Sequence, residues 1–130
     1  MAVEVRELDL SNADGGYITT NFDLLRRALK RDKKYSKDLL YRGFDGKNIP
    51  KLLKTGRDSG RGKTIFAVTQ DYIYNCLGID PFEYAFDHEN PAIAVFDLKH
   101  FKEDIEYINW VFKNPDKKLE ALVAVYRLKI

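Results

Sequence analysis

The chain has 130 residues and a mass of 15.1 kDa, the size of one domain, and is 45% hydrophobic, 32% charged and 13% aromatic, a globular rather than a disordered composition. A single cysteine, Cys76, excludes an internal disulfide framework, and with only two histidines no Cys-rich zinc site can form, so no metal is expected. No apolar run approaches the roughly 18 residues of a membrane-spanning helix, and the opening MAVEVRELDL is charged where a signal peptide is apolar; the expectation is a soluble, cytoplasmic protein with no membrane partner.

Charge is distributed unevenly. Residues 26–63 hold 14 Lys/Arg against 4 Asp/Glu, a local +10, while residues 1–25 and 64–130 each sum to −4, which gives the net +2. A basic block in a near-neutral chain points to an anionic partner such as RNA, DNA or the phosphates of a nucleotide; the bland reading is a solvated helix face next to a loop.

In chain order, residues 3–8 read as a first strand. Thr20 or Asn21 can cap a helix from 21 to about 32, in which Phe22, Leu25 and Leu29 share a face. Leu39–Phe44 reads as a strand bounded by a Gly-containing turn. Asn48 then reads as an N-cap, with Pro50 in the first helical turn and Gly56 at the left-handed C-terminal stop. A polar, glycine-rich loop over 57–63 feeds a strand Thr64–Val68, and Thr69 can cap a helix over 70–77 closed by Gly78. A loop with a short turn around 81–86 leads to Ala92–Leu98, an apolar run of strand length that suits burial on both faces. Phe101, Ile105, Ile108 and Phe112 recur at helical spacing, which predicts an amphipathic helix over 101–113. The last strand is predicted over 119–129, opened by Glu120. With no repeat and no linker long enough to divide it, the chain reads as a single small α+β domain, 1–130, with short mixed or antiparallel sheets and flanking helices. The core spans 38–130 and an N-terminal helical extension covers about 1–37.

Several chemical motifs fail on inspection. Gly62-Lys63-Thr64 matches the end of a phosphate-binding loop, but Arg57 stands where that motif needs its first glycine, and the loop runs from helix to strand instead of strand to helix. Arg57, Arg61 and Lys63 remain candidate phosphate contacts as flexible charges. Cys76 lies among apolar neighbours, where a buried thiol is packing rather than nucleophile. His88 and His100 have no spacing that aims both at one metal, and His88-Glu89 is half of an acid–base pair without its other half.

The most informative constellation is distributed: Tyr41-Arg42-Gly43 at the end of an apolar strand, a helix ending Leu52-Leu-Lys-Thr-Gly56, the strand Thr64-Ile-Phe-Ala-Val-Thr69, Tyr72 and Tyr74 on the next helix, and a late Glu120. This order, over about residues 39–128, resembles the ADP-ribosyltransferase-like superfamily, whose first core strand ends in His or Arg beside Gly. The resemblance implies an ADP-ribosyltransferase-like α+β fold and NAD as substrate, with transfer onto a protein or nucleic-acid acceptor. It implies that Tyr41, Arg42 and Gly43 bind NAD, with Arg42 pairing a phosphate or bonding the adenosine half and Gly43 allowing close backbone approach. Thr64 and Thr69 would offer hydroxyls to ribose or hold the carboxylate, and Tyr72, or Tyr74, would stack on nicotinamide. Glu120 would be the catalytic carboxylate, accepting from the ribose 2′-OH and stabilising the oxocarbenium-like charge, with Glu103 and Glu106 as alternative carboxylates. The second strand lacks the Ser-Thr-Ser run of the arginine-modifying branch and position 118 is Lys118, so arginine-specific transfer is not implied. Arg42 stands where the polymerase branch has His, so polymer formation is not implied. The competing reading is a non-catalytic nucleic-acid-binding or interaction module using segment 26–63, in which Arg26, Lys30 and Lys33 or Lys34 share one helix face and track phosphates.

Overall fold

The structure is a computed structural model, which describes residues 3–9, 18–56, 64–65, 68–69, 85, 87–104, 109–113 and 118–129. Among these, the chain runs β1 (Glu4–Asp9), α1 (Ile18–Arg31), β2 (Leu39–Asp45), α2 (Ile49–Thr55), β3 (Thr64–Ile65), β4 (Val68–Thr69), β5 (Pro91–Asp97), β6 (Phe101–Asp104), β7 (Asn109–Phe112), α3 (Lys118–Ala121) and β8 (Leu122–Lys129). It is a small α+β domain. A five-stranded mixed sheet has the order β1-β8-β5-β2-β4, and a three-stranded antiparallel sheet has the order β3-β7-β6. Only the β1–β8 pairing in the larger sheet is parallel.

The centre is β5. Pro91 to Phe96 are all buried, because β2 and β8 flank the strand and both sheet faces are covered. Side chains alternate along a strand, so the sheet divides two hydrophobic clusters. Tyr41, Ile93, Val95, Ala124, Tyr126 and Leu128 face α1, which lays Leu25, Ala28 and Leu29 against them. Leu40, Phe44, Ala92, Ala94, Phe96 and Val125 face the other way, toward Ile49 and Leu52 of α2 and Ala121 and Leu122 around α3. Ala92 and Ala94 are small, and their size leaves room for α2 to settle over Phe44. At Phe96 the β8 register shifts and Val123 is passed over, so that Leu122 meets Phe96 while Val123 and Ala124 both pack on the α1 side.

Two strand ends repeat one device. Asp45 and Asp97 each leave their strand in an extended conformation and accept the backbone N–H two residues on, Lys47 and Lys99, at 3.1 Å. Each starts a 3₁₀ turn, Gly46–Asn48 and Leu98–His100, as short polar side chains do where the ladder stops. At the first of these turns the Gly46 N–H donates to the Asn90 carbonyl at 2.5 Å, locking the end of β2 to the start of β5.

The structure corrects the sequence reading in several places. The described part of the segment read as an N-terminal extension belongs to the core: β1 pairs along β8, and α1 buries Leu25 and Leu29 completely. Thr20 and Asn21 lie inside α1, which begins at Ile18; the helix penalty of β-branched residues is a few tenths of a kcal/mol and tertiary context outweighs it. Asn48 does precede α2, with Pro50 in the first turn, but its side chain makes no capping bond, and the Ile49 N–H closes the 3₁₀ turn onto Gly46 instead. Gly56 is the left-handed stop, at φ 75°, with its N–H on the Leu52 carbonyl.

The strand read over 64–68 serves two sheets. Thr64-Ile65 pairs with Val111-Trp110, whereas Val68-Thr69 pairs with Tyr41-Leu40, so Thr69 belongs to a strand, and the helix it is predicted to cap lies outside the described residues. Local β propensity does not say which partner a strand takes. The helix expected over 101–113 is a hairpin, with Phe101 opposite Phe112 and Glu103 opposite Trp110. Asn-Trp-Val-Phe is β-forming, and β3 supplies a second ladder to it; the four-three-four spacing of Phe101, Ile105, Ile108 and Phe112 fits a hairpin with opposed ends as well as a helix face. The last strand begins at Leu122, because Lys-Leu-Glu-Ala, all good helix formers, close one helical turn ahead of it. The helix over 70–77 and the loop over 57–63 lie outside the described residues.

Gly46 sets a test of this frame. A β-carbon there would stand 2.9 Å from the Asn90 carbonyl oxygen, a backbone atom held by the sheet. Gly46→Ala is expected to destabilise the fold by about 1–3 kcal/mol, read as a lowered midpoint in urea unfolding with an unchanged slope.

Candidate functional site

Adjacent residues of β2 point to opposite faces of the sheet, and this separates the residues that the sequence groups together. Tyr41 is fully buried on the α1 face. Its hydroxyl donates to the Lys34 carbonyl at 2.8 Å and accepts the Ser36 N–H at 3.0 Å, and its ring lies 5.9 Å from that of Tyr35. Burial pushes the Tyr41 phenol up to about 12. Tyr41 therefore pins the turn between α1 and β2. Gly43, two residues on, is also on that side and is buried opposite Ile93.

Arg42 points the other way. It sits half-buried between Leu40 and Phe44 in the row that crosses Ala94 and Val125, on the face covered by α2 and α3. Glu120 is exposed on α3, whose next residues, Ala121 and Leu122, are in the same cluster as Leu40 and Phe44. α3 also packs on α2 and on the 3₁₀ turn Leu98–His100. The fold thus brings Arg42 and Glu120, 78 positions apart in the chain, to one face of one sheet. Thr69 lies next to that face on β4, opposite Leu40, while Thr64 belongs to the other sheet, opposite Val111. Of the alternative carboxylates, Glu103 lies in the β6–β7 hairpin, and Glu106 falls outside the described residues, as do Tyr72, Tyr74, Arg57, Arg61 and Lys63. Arg26 and Lys30 are on α1, across the sheet from Arg42.

Sequence reasoning gave no sign of a second polar centre, on the α1 face. Asp32, at the end of α1 with its side chain only 9% exposed, accepts from the Tyr126 hydroxyl at 3.0 Å and from Arg31 Nε at 3.2 Å, with Arg6 at 3.8 Å. Burial alone would raise the Asp32 carboxyl, but the bonds from Arg31 and Tyr126 and the Arg6 charge hold it below the usual carboxylate range. Burial and the Asp32 charge together push the Tyr126 phenol far up. Tyr126 and Asp32 are 94 positions apart, and no local pattern pairs them.

Clefts open at the surface in at least two places among the described residues. One, of about 480 Å³, lies where β2 ends and β5 begins and is lined by Glu7, Lys47, His88, Glu89, Arg127 and Lys129 among others; there His88 Nδ1 stands 4.0 Å from Asp45. The other, of about 530 Å³, lies between β1 and α1 and is lined by charged Glu7, Asp9, Arg27 and Arg31. Neither of these two includes Arg42 or Glu120. Among the described residues no group of three or more His, Cys, Asp or Glu is placed to hold a metal ion, and no helix is long and apolar enough to cross a membrane.

No protein-family model, curated protein or solved structure matches the chain.

The two buried phenols make stability depend on alkali. Each must stay protonated to donate its bond, and each titrates above its unfolded value near 10 in the folded state. Their contribution is therefore complete below about pH 10 and is lost as pH rises through about 12. Tyr126→Phe is expected to lower stability by about 1–2 kcal/mol at pH 7, since Asp32 loses a donor while buried, and to flatten the fall in melting temperature between about pH 10 and 12. In acid the sign reverses: Asp32, held low, contributes above about pH 4 and loses its contribution as pH falls further, so Asp32→Asn flattens that limb. Thermal melts across pH read both.

Proposed function

We propose that the chain binds NAD and transfers ADP-ribose to an acceptor nucleophile, with Arg42 as the phosphate-binding group and Glu120 as the catalytic carboxylate. The observation that carries this reading is the common face. A half-buried arginine in the middle of the core strand β2 and a glutamate exposed on α3, the turn before the last strand, belong to elements on the same side of the sheet. Thr69 adds a hydroxyl-bearing residue on the neighbouring strand.

The chemistry asks for those groups. Arg42 offers a planar fork of donors that suits the pyrophosphate of a dinucleotide. Gly43, the next residue, lies on the α1 side opposite Ile93, so its lack of a side chain opens no space on the Arg42 face. In the transfer itself the bond between nicotinamide nitrogen and ribose C1′ breaks and nicotinamide leaves with the electron pair. Positive charge builds on C1′ and the ring oxygen, where a carboxylate is most effective. The acceptor then forms the new bond to C1′ and gives up its proton. In this reading the Glu120 carboxylate faces that positive charge in the first step and takes up the acceptor's proton in the second.

Nicotinamide release from NAD by the purified chain, with RNA and with protein acceptors added in turn, tests this. Glu120→Gln is expected to lower turnover at least about 100-fold while NAD affinity stays within about twofold, because its charge matters most in the transition state. Arg42→Ala is expected to weaken NAD binding about tenfold, the loss of one charge-assisted contact. Equal turnover by wild type and Glu120→Gln removes Glu120 from the mechanism, and absence of release with every acceptor overturns the reading.

A further inference from the structure

The α1 face of the molecule carries charge that the Arg42 site does not use. Seven cations lie between Arg26 and Lys37. The one acid in that stretch, Asp32, is turned inward to Tyr126 and Arg31. Leu25, Ala28 and Leu29 hold α1 to the sheet, which leaves Arg27, Lys30, Lys33 and Lys37 exposed on its outward side and on the turn that follows. Lys30 is steadied over the Tyr35 ring at 5.5 Å.

A second, independent feature lies within this surface. α1 ends with the Lys34 N–H on the Leu29 carbonyl at 2.7 Å and the Lys33 N–H on the Lys30 carbonyl at 3.1 Å. This is the helix stop whose pivot residue takes the left-handed conformation and is usually glycine. Here the pivot is Lys33, at φ 59°, and among the described residues no other non-glycine has a positive φ. The same chain uses glycine for that position at the end of α2, in Gly56. A lysine at the pivot strains the backbone and adds an exposed ammonium to the surface. Strain of this kind, kept where a cheaper residue would serve, points to function.

We propose that the outward surface of α1 and its C-terminal turn binds the phosphate backbone of a nucleic acid, with Arg27, Lys30, Lys33 and Lys37 as the contacts and without reading the bases. A rise of 1.5 Å per residue spaces Arg27 and Lys30 about 4.5 Å apart along the helix direction, and Lys33 and Lys37 carry the row of cations onto the turn beyond the helix end, an arrangement that suits the phosphates of one strand. Anionic bilayers are disfavoured because the exposed large apolar side chains among the described residues, Val5 and Leu119, lie on other elements, and no described side chain of α1 from Leu24 to Arg31 joins them. This surface lies across the sheet from Arg42 and does not depend on NAD chemistry.

The experiment is fluorescence polarisation of a labelled 12-nucleotide single-stranded RNA across a range of potassium chloride concentrations. Four phosphate contacts predict a slope of log affinity on log salt of about −3 for single strands. Replacing Lys30, Lys33 and Lys37 together by Gln is expected to weaken binding about tenfold or more and to flatten the slope to about −1. Lys33→Gly separates charge from folding: it is expected to raise the melting temperature by about 3 °C while it weakens RNA binding. No RNA binding by wild type at low salt overturns the proposal, as does undiminished binding by the triple variant or by Lys33→Gly. So does binding to phosphatidylserine vesicles, or to polyglutamate, in preference to RNA. Nicotinamide release is read on the same variants and is expected to be unchanged with a protein acceptor, so failure of either reading is seen separately.

Discussion

The arrangement of this protein depends on a central strand that is dry on both sides. Pro91 to Phe96 have no solvent-facing residue, and each backbone group there must find its partner in β2 or β8, since unpaired buried amides are costly. With β5 fixed, the alternation of side chains on β2 and β8 sorts every other residue of the core. Odd positions of β2 join α1, and even positions join α2 and α3. A slip of one residue would exchange Tyr41 with Arg42 and place a guanidinium in the α1 cluster.

The two sides of the sheet solve different problems. The α1 side is dominated by tyrosines, and their hydroxyls turn a hydrophobic packing layer into a set of fixed polar anchors. Tyr41 holds the turn after α1 through Lys34 and Ser36, and Tyr126 holds the end of α1 through Asp32. One bond is local in sequence and the other spans 94 positions, and together they give the α1–sheet junction a defined geometry rather than a merely apolar one. The other side is built from small and aliphatic residues, with Phe96 and Phe101 meeting edge-on at 6.0 Å, and it is there that an arginine lies half-buried among them. A polar side chain in such a place calls for a function more strongly than one on the surface does.

Placing the basic block of the sequence on this frame divides it. Its first part, through Lys37, is on α1 and the turn behind the sheet. Arg42 is on the front, and Lys47, Lys51 and Lys54 follow on and before α2. The local +10 of residues 26–63 is thus not one patch. A polyanion held along α1 and a dinucleotide held at Arg42 would occupy opposite sides of the molecule, so the two readings of the sequence, an enzyme site and a nucleic-acid surface, need not compete.

The elements legible in the sequence were those whose signals are local. The Gly56 stop, the continuous apolar run of β5, the β2 strand and the helical face of Leu25 and Leu29 follow from backbone preference and periodicity over a few residues. What failed depended on partners. The spacing of Phe101, Ile105, Ile108 and Phe112 fits a helix until β3 and β6 are there to pair with β7, and Thr64 to Thr69 reads as one strand until its two ends are seen in different sheets. For the candidate site, the sequence determined the residue types, an Arg before a Gly and a Glu before the last strand, whereas the strand end read at Gly43 falls in the middle of β2, which runs on to Asp45. Only the tertiary structure decided that Arg42 and Glu120 share a face, that Tyr41 does not, and that Asp32 meets Tyr126. Residue chemistry is written at each position, whereas juxtaposition depends on strand order and register, which are set by contacts between segments far apart in the chain.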